Sequence, residues 1–329
     1  MKHSIYKLLL LAAGLLSCTA CNKEWSEEQY EQYVSFMAPM DYKKGVTDIY
    51  VKYNPLGKVS YQLPVLVSGS LMSEKNLDIK IAIDPDTLQN INNEHFYSRK
   101  DLWYKELTEN YYEIPNMGVP IAKGTCQGLL DINFKLSGID LVDKWVLPLT
   151  IAPSDNGSYT PHPRMNYRKA LLRIIPFNEY SGTYSSTTLS VYFKGNETNV
   201  ITTDTRTAYV VDDKSVFFYA GLMNEELIER SKYKIIMRFN DDGTVTIGAP
   251  DPSIHFSSKS IPTWSVSERV DVSQPYLIHK TVVINNLSYE FDDITSVPGN
   301  TISYVVKGSM NMVRKINTQI PDEDQAIEW

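Results

Sequence analysis

Cysteine is almost missing from this chain. Cys18, Cys21 and Cys126 are the only three in 329 residues. No thiol cluster can hold a metal, and once Cys21 is cleaved away or acylated, Cys126 has no partner for an internal disulfide. That makes Cys126 a core position. Histidine is as thin, at His3, His95, His162, His255 and His279. None of these sits at ligand spacing, which argues against zinc. Positive charge is also short: 32 Lys and Arg face 39 Asp and Glu, for a net charge of -7. A nucleic-acid binder needs a basic face, so that class drops out. No glycine loop to cradle phosphate, no Gly-x-Ser-x-Gly elbow and no kinase set is present, and nothing calls for a cofactor. Asp241-Asp242-Gly243 lacks the third acid and closing glutamate of a calcium loop, so it is read as a hairpin turn. A glycosidase needs two carboxylates across a cleft, but with 39 acids some pair is always available, so that signal is empty.

What is present begins with Lys2 and Lys7, an apolar run over residues 8–16, and small residues leading to cysteine. This is the layout of a secretory signal, too short to span a bilayer. Leu15-Leu16-Ser17-Cys18 resembles the bacterial lipobox, which implies acylation of Cys18. Cys21, preceded by Ala20, is the competing site, and a plain signal peptide cleaved near Ala20 is the third reading. At about 0.8 kcal/mol per buried methylene, two acyl chains hold a protein firmly on a membrane. Residues 1–21 are read as signal and lipobox, and 22–33 as a short helical tether. Ser26 and Gln29 form its capping box and Trp25 and Tyr30 its hydrophobic staple.

A hydrophobic content of 43% with 22% charged residues marks a globular chain long enough for two domains. From 34 to 176 the pattern is short strands, such as Asp48-Ile49-Tyr50-Val51 and Leu77-Asp78-Ile79-Lys80-Ile81. A polar crossing over 84–113 carries short helical pieces at 86–88 and 101–107. Without the rhythm of a parallel sheet, these strands predict a β-sandwich. Residues 177–317 hold a second, antiparallel strand series, read as a calycin-like barrel or a second sandwich, with one helical turn over 224–230. Residues 318–329 form an acidic tail.

Asp84-Pro85-Asp86, Tyr111-Tyr112-Glu113-Ile114-Pro115, Val119-Pro120-Ile121-Ala122-Lys123-Gly124 and Trp145-Val146-Leu147-Pro148-Leu149 together carry a resemblance. They resemble a Bacteroidetes lipoprotein sandwich domain of unknown function, found in surface proteins encoded beside starch-utilisation-system-type importers. The resemblance implies an immunoglobulin-like all-β sandwich and a lipid anchor in the outer membrane, exposed at the cell surface. It also implies a polysaccharide or oligosaccharide partner and an importer pair nearby. Endoglycosidase relatives carry a catalytic barrel with an Asp-x-x-Asp-x-Asp-x-Glu run, which this chain lacks. The expectation is therefore glycan binding without catalysis. A glycosidase or lyase spread over the second domain, or a structural or adhesive subunit, are the alternatives.

Sugars pack their C–H faces on exposed aromatic rings flanked by polar groups. Trp264 after Pro262, Tyr276 after Pro275, and Tyr159 in Gly157-Ser158-Tyr159-Thr160 are the candidates in polar loops, with Arg230 or Asp271 as polar helpers. Trp103, Tyr104 and Trp145 are assigned to packing.

Overall fold

The computed structural model describes residues 27–320; the Cys18 and Cys21 readings, the Trp25 staple and the tail from 321 lie outside them. Two sheets face each other in the N-terminal half. One orders β1 (Val34–Phe36), β3 (Val59–Val67), β8 (Gln127–Phe134) and β6 (Tyr112–Glu113). The other orders β2 (Thr47–Lys52), β10 (Lys169–Phe177), β9 (Lys144–Ile151), β4 (Leu77–Ile83) and β7 (Gly118–Ile121), with β5 (Tyr104–Glu106) pairing β9. Alternate residues of each, among them Leu63, Val65, Ile132 and Phe134 against Ile79, Leu147, Leu149 and Leu172, are fully buried between the layers. This is the expected sandwich.

The outer face of the second sheet is covered too. Helix α1 (Pro85–Phe96) lays Leu88 and Ile91 on Val146 and Leu171. A strand buried on both faces reads as a continuous apolar run, which explains Trp145-Val146-Leu147-Pro148-Leu149. The helix starts where Asp84 accepts from the Thr87 amide and Pro85 fills the first turn. It is longer than the short piece expected, because polar Asn92 is held inside by hydrogen bonds to the Tyr104 backbone. Over 101–107 only a 3-10 turn (Lys100–Leu102) forms before the chain becomes β5.

The C-terminal half curls into a barrel. Strands β11 (Gly182–Ser185), β14 (Thr205–Asp212), β15 (Ser215–Tyr219), β16 (Lys234–Phe239) and β17 (Val245–Gly248) pair in sequence. The long β20 (Leu277–Asp293) and β21 (Ile302–Asn317) form the opposite wall with β19 (Thr263–Val270). The ring closes where Val245 donates to the Pro262 carbonyl at 2.8 Å and Trp264 donates to the Gly243 carbonyl at 2.9 Å. The interior is filled with side chains. Tyr184, Tyr233 and Tyr289 are fully buried, and each phenol is satisfied, by Tyr180 O, Asp293 Oδ1 and the Gly221 amide respectively. Burial pushes their phenol pKa values up. Much of the chain's unusual tyrosine content is therefore core.

Polar clamps join the halves. Arg230 donates to Asp101 O at 2.9 Å and Val142 O at 3.2 Å, and Lys234 pairs with Asp140 at 2.8 Å. Val142 itself is buried in the barrel's core cluster.

Three expectations need correction. The lead from Glu27 to Tyr33 is not helical; it runs as bends and extended chain. Glu28, placed to sit in the first turn of a helix, instead captures the Ser70 and Leu71 amides, and Tyr33 pairs with Ser68. The segment over 224–230 forms turns, and the 3-10 helix follows at Arg230–Tyr233, because Arg230 is turned toward the other domain. Cys126 is partly buried at the entrance to β8 rather than in the core.

Candidate functional site

Two surface depressions flank the edge strand β1. The first, about 470 Å³, is mixed in character. Glu28, Gln32, Glu74, Lys75 and Ser158 supply polar groups over Val34, Val67, Leu77 and Tyr159. The second, about 400 Å³, is mainly apolar. Phe36 and Leu66 belong to β1 and β3, while Met37, Met40 and Tyr42 follow β1 in the chain. Asn166 and Tyr167 come from the one-turn helix α2 (Met165–Arg168).

The second groove has the aromatic character a sugar requires. The Tyr42 side chain is 81% exposed and Tyr167 is 41% exposed. Tyr42 sits in a turn closed by the Asp41–Val46 bridge. Gly45 makes that turn possible: its φ is +71°, and a Cβ there would lie 2.9 Å from His95 Nε2 and 3.0 Å from Ile91. Tyr167 is held by His162, whose ring lies 4.7 Å away and in turn meets Tyr33 at 5.3 Å. The segment carrying them is tied to β1 through Val34 N to Thr160 O and His162 N to Val34 O, at 2.9 and 2.8 Å. Docking of residues 160–162 on β1 thus brings Tyr42 and Tyr167, far apart in the chain, to one groove.

The predicted site residues lie elsewhere, and the fold does not bring them together. Trp264 is on the barrel seam, partly buried, its indole N–H donating to Asn240 O at 2.9 Å. Its ring meets Phe239 and Tyr180 edge-on at 5.6 and 5.3 Å. Tyr276 is 36% exposed beside the C-terminal end of β21, its carbonyl accepting from Thr318. Tyr159 is 8% exposed, and its hydroxyl accepts from Lys80 N and donates to Ala152 O, so only part of its ring borders the mixed cleft. Arg230 is an interdomain clamp, and Asp271 holds His279 Nε2 at 2.9 Å. Tyr42 and Tyr167 were missed because no local pattern joins them, 125 positions apart in the sequence. Asp41 and Gly45 flanking Tyr42 are the one available signal, since they mark a turn that puts a ring outside.

Glu28 in the mixed cleft accepts from Ser70 N and Oγ, both at 2.7 Å, and from Leu71 N at 3.0 Å. Those bonds, that from the Ser70 amide first, lower its pKa from 4.5 to about 2. A carboxyl group whose folded pKa lies below its unfolded value stabilises the fold above the unfolded pKa, and that contribution fades as pH falls toward the folded one. The lead should therefore loosen from residues 68–71 between about pH 4.5 and 2. In NMR the Ser70 and Leu71 amide shifts should titrate with a midpoint near pH 2, and Glu28→Gln should abolish that titration. A midpoint near 4.5 would show that the contact contributes nothing.

Among the described residues no group of three or more His, Cys, Asp or Glu side chains could hold a metal ion. Fold and surface together define a two-domain all-β protein, a sandwich joined to a filled barrel, with the two depressions beside β1 on the outside of the sandwich. Residues 25–156 match the family model of a domain of unknown function, DUF4973, and residues 168–311 match a second model described as a "-like, C-terminal" domain. A Bacteroides ovatus crystal structure of unknown function is 46% identical, with a TM-score of 0.81 over 90% of this chain and all of its own. A Bacteroides ovatus multidomain protein including DUF1735 matches with the same figures. A Bacteroides thetaiotaomicron structure titled an auxiliary nutrient binding protein is 38% identical, with a TM-score of 0.79 over 88% of this chain and 97% of its own. No curated protein matches. The chain belongs to one family with these Bacteroides proteins, and its residues 25–156 carry the DUF4973 match.

Proposed function

We propose that the protein binds a glycan at the Tyr42–Tyr167 groove without chemical turnover, as a lipid-anchored protein of the outer cell surface. The carrying observation is the groove itself: two exposed tyrosine rings and the Asn166 amide around about 400 Å³. Ligand clefts commonly fall between about 300 and 1,000 Å³, with a few polar groups over an apolar lining. The relative titled an auxiliary nutrient binding protein supports a binding role. The lipobox-like Leu15-Leu16-Ser17-Cys18 supports the anchor, through Cys18 or Cys21, and with it a place near an importer for polysaccharide or oligosaccharide.

Affinity electrophoresis against a broad polysaccharide panel tests this, with reducing ends assayed in parallel. Retardation without released reducing ends is expected. Loss of one tyrosine ring removes about 0.5–1.5 kcal/mol of stacking, so Tyr42→Ala and Tyr167→Ala should each weaken retardation by a few-fold to about tenfold. Unchanged retardation in both folded variants would remove the groove, and released reducing ends would make the protein an enzyme.

A further inference from the structure

A third cavity, about 180 Å³, lies on the outer wall of the barrel beside the sandwich. It shares no lining residue with the tyrosine groove. Strand alternation builds part of it. Along β14, Arg206, Ala208 and Val210 turn into the barrel and are buried, so Thr205, Thr207 and Tyr209 line the outer face. Tyr219 on β15, with Asn224 and Glu225 from the loop that follows, supplies the rest. That loop is fixed from both domains. Tyr209 Oη donates to the Glu225 carboxylate at 3.0 Å, and Lys144 Nζ of the sandwich lies 3.3 Å from it. Arg230 then ties the far end of the loop to Asp101 O at 2.9 Å.

The lining selects its ligand by exclusion. The Glu225 side chain is 40% exposed. Burial opposes its charge, but Lys144 and Arg173 outweigh that cost, and its pKa is lowered. An anion would be repelled by this carboxylate. A cation would have to compete with Lys144, which is already beside it. A neutral ligand bearing hydroxyl groups meets neither obstacle. A carboxylate offers about four acceptor positions, and Tyr209 and Lys144 take up two of them. The Thr205 and Thr207 hydroxyls can donate or accept, and the Asn224 amide nitrogen can donate while its Oδ1 accepts from Glu226 N at 2.9 Å. A sugar hydroxyl both donates and accepts, so it needs such a mixed set. Tyr209 and Tyr219 add apolar ring surface. The volume falls below the roughly 300–1,000 Å³ of clefts for larger ligands, which leaves room for one ring and not for a chain. We infer that this cavity binds a single neutral pyranose, as a free monosaccharide or as the end residue of a chain. It does not depend on the tyrosine groove, and failure of either reading leaves the other untouched.

Amide NMR of the full chain titrated with glucose, galactose, mannose and xylose tests the site, with sodium acetate and choline chloride as charged controls. At least one sugar should shift the Thr205, Thr207, Asn224 and Glu225 amides saturably, and neither control should. Equal binding of that sugar's methyl glycoside marks a chain end as the source, and weaker binding marks a free monosaccharide. Thr205→Val and Asn224→Ala, both at exposed positions, each remove one hydrogen bond. Each should weaken binding by a few-fold to about tenfold with the thermal transition unchanged. Glu225→Gln keeps the side-chain shape but gives up charge-assisted bonds, and should weaken binding by at least about tenfold. Tyr42→Ala and Tyr167→Ala should leave these shifts as they are. The site is overturned if no sugar moves the cavity amides, or if acetate or choline moves them as far. Wild-type affinity in both folded exposed variants, or loss of the shifts in Tyr42→Ala, would overturn it as well.

Discussion

Gly308→Ala is expected to unfold the barrel or cost it several kcal/mol. Gly308 stands where β21 stops pairing with β12 (Leu189–Phe193) and turns toward β11. Its φ is +144°, and an added Cβ would lie 2.1 Å from the Thr188 carbonyl oxygen and 2.9 Å from the Leu189 Cα. Both neighbours are backbone, so neither can swing away. A disallowed backbone conformation costs about 1–3 kcal/mol, and forced overpacking about 1–3 more. The partner strand bends at the same place, where Asn286 takes φ +56° and the β20–β21 register shifts between Ile284 and Leu287. The two long strands therefore turn the barrel corner together. Gly299, at φ +78° with nothing within 4 Å of its Cβ, is the control. Urea unfolding followed by near-ultraviolet circular dichroism should show Gly299→Ala losing only the backbone term. Equal midpoints for the two variants would mean that the corner accommodates a methyl group.

Trp264→Ala is expected to cost the barrel about 3 kcal/mol, the lower end for a truncated tryptophan because the ring is only partly buried. The seam it closes is narrow: the Thr244–Thr263 bridge, flanked by the Val245–Pro262 and Trp264–Gly243 bonds. The ring adds contacts to Phe239 and Tyr180, and its N–H ties it to Asn240 at the start of the neighbouring turn. Calorimetry should show the barrel transition lowered and the sandwich transition nearly unmoved. Trp264→Phe should recover most of the packing but not the Asn240 bond. In Trp264→Ala that remains folded, glycan retardation should match the wild type. Loss of retardation with an unchanged barrel transition would return this residue to the ligand.

Strand periodicity was readable wherever one face is buried and the other wet. Ile49 and Val51 alternate with polar neighbours on β2, and Ile79 and Ile81 do so on β4, because side chains of a strand alternate between its faces. The Asn240-Asp241-Asp242-Gly243 turn was readable for a local reason: Gly243 takes φ +80° and closes on Asn240 O. Local rules failed where a distant partner outbid them. Ser26 and Gln29 have capping-box spacing, yet Glu28 between them binds Ser70 and Leu71, over forty residues away. Helix α1 was underestimated because Asn92 looks like a surface residue until Tyr104 supplies its bonds.

The choice among aromatic residues was beyond local reading altogether. Trp264 and Tyr167 both sit among polar neighbours in the sequence, but one is turned onto a barrel seam and the other beside a groove. The residue order by itself determined the all-β character and the two strand series, since these follow from side-chain alternation and turn chemistry within a few residues. Only the tertiary structure decided that the second series closes on Trp264 and that Tyr42 meets Tyr167. Each of those depends on segments far apart in sequence, whose docking is set by the whole core.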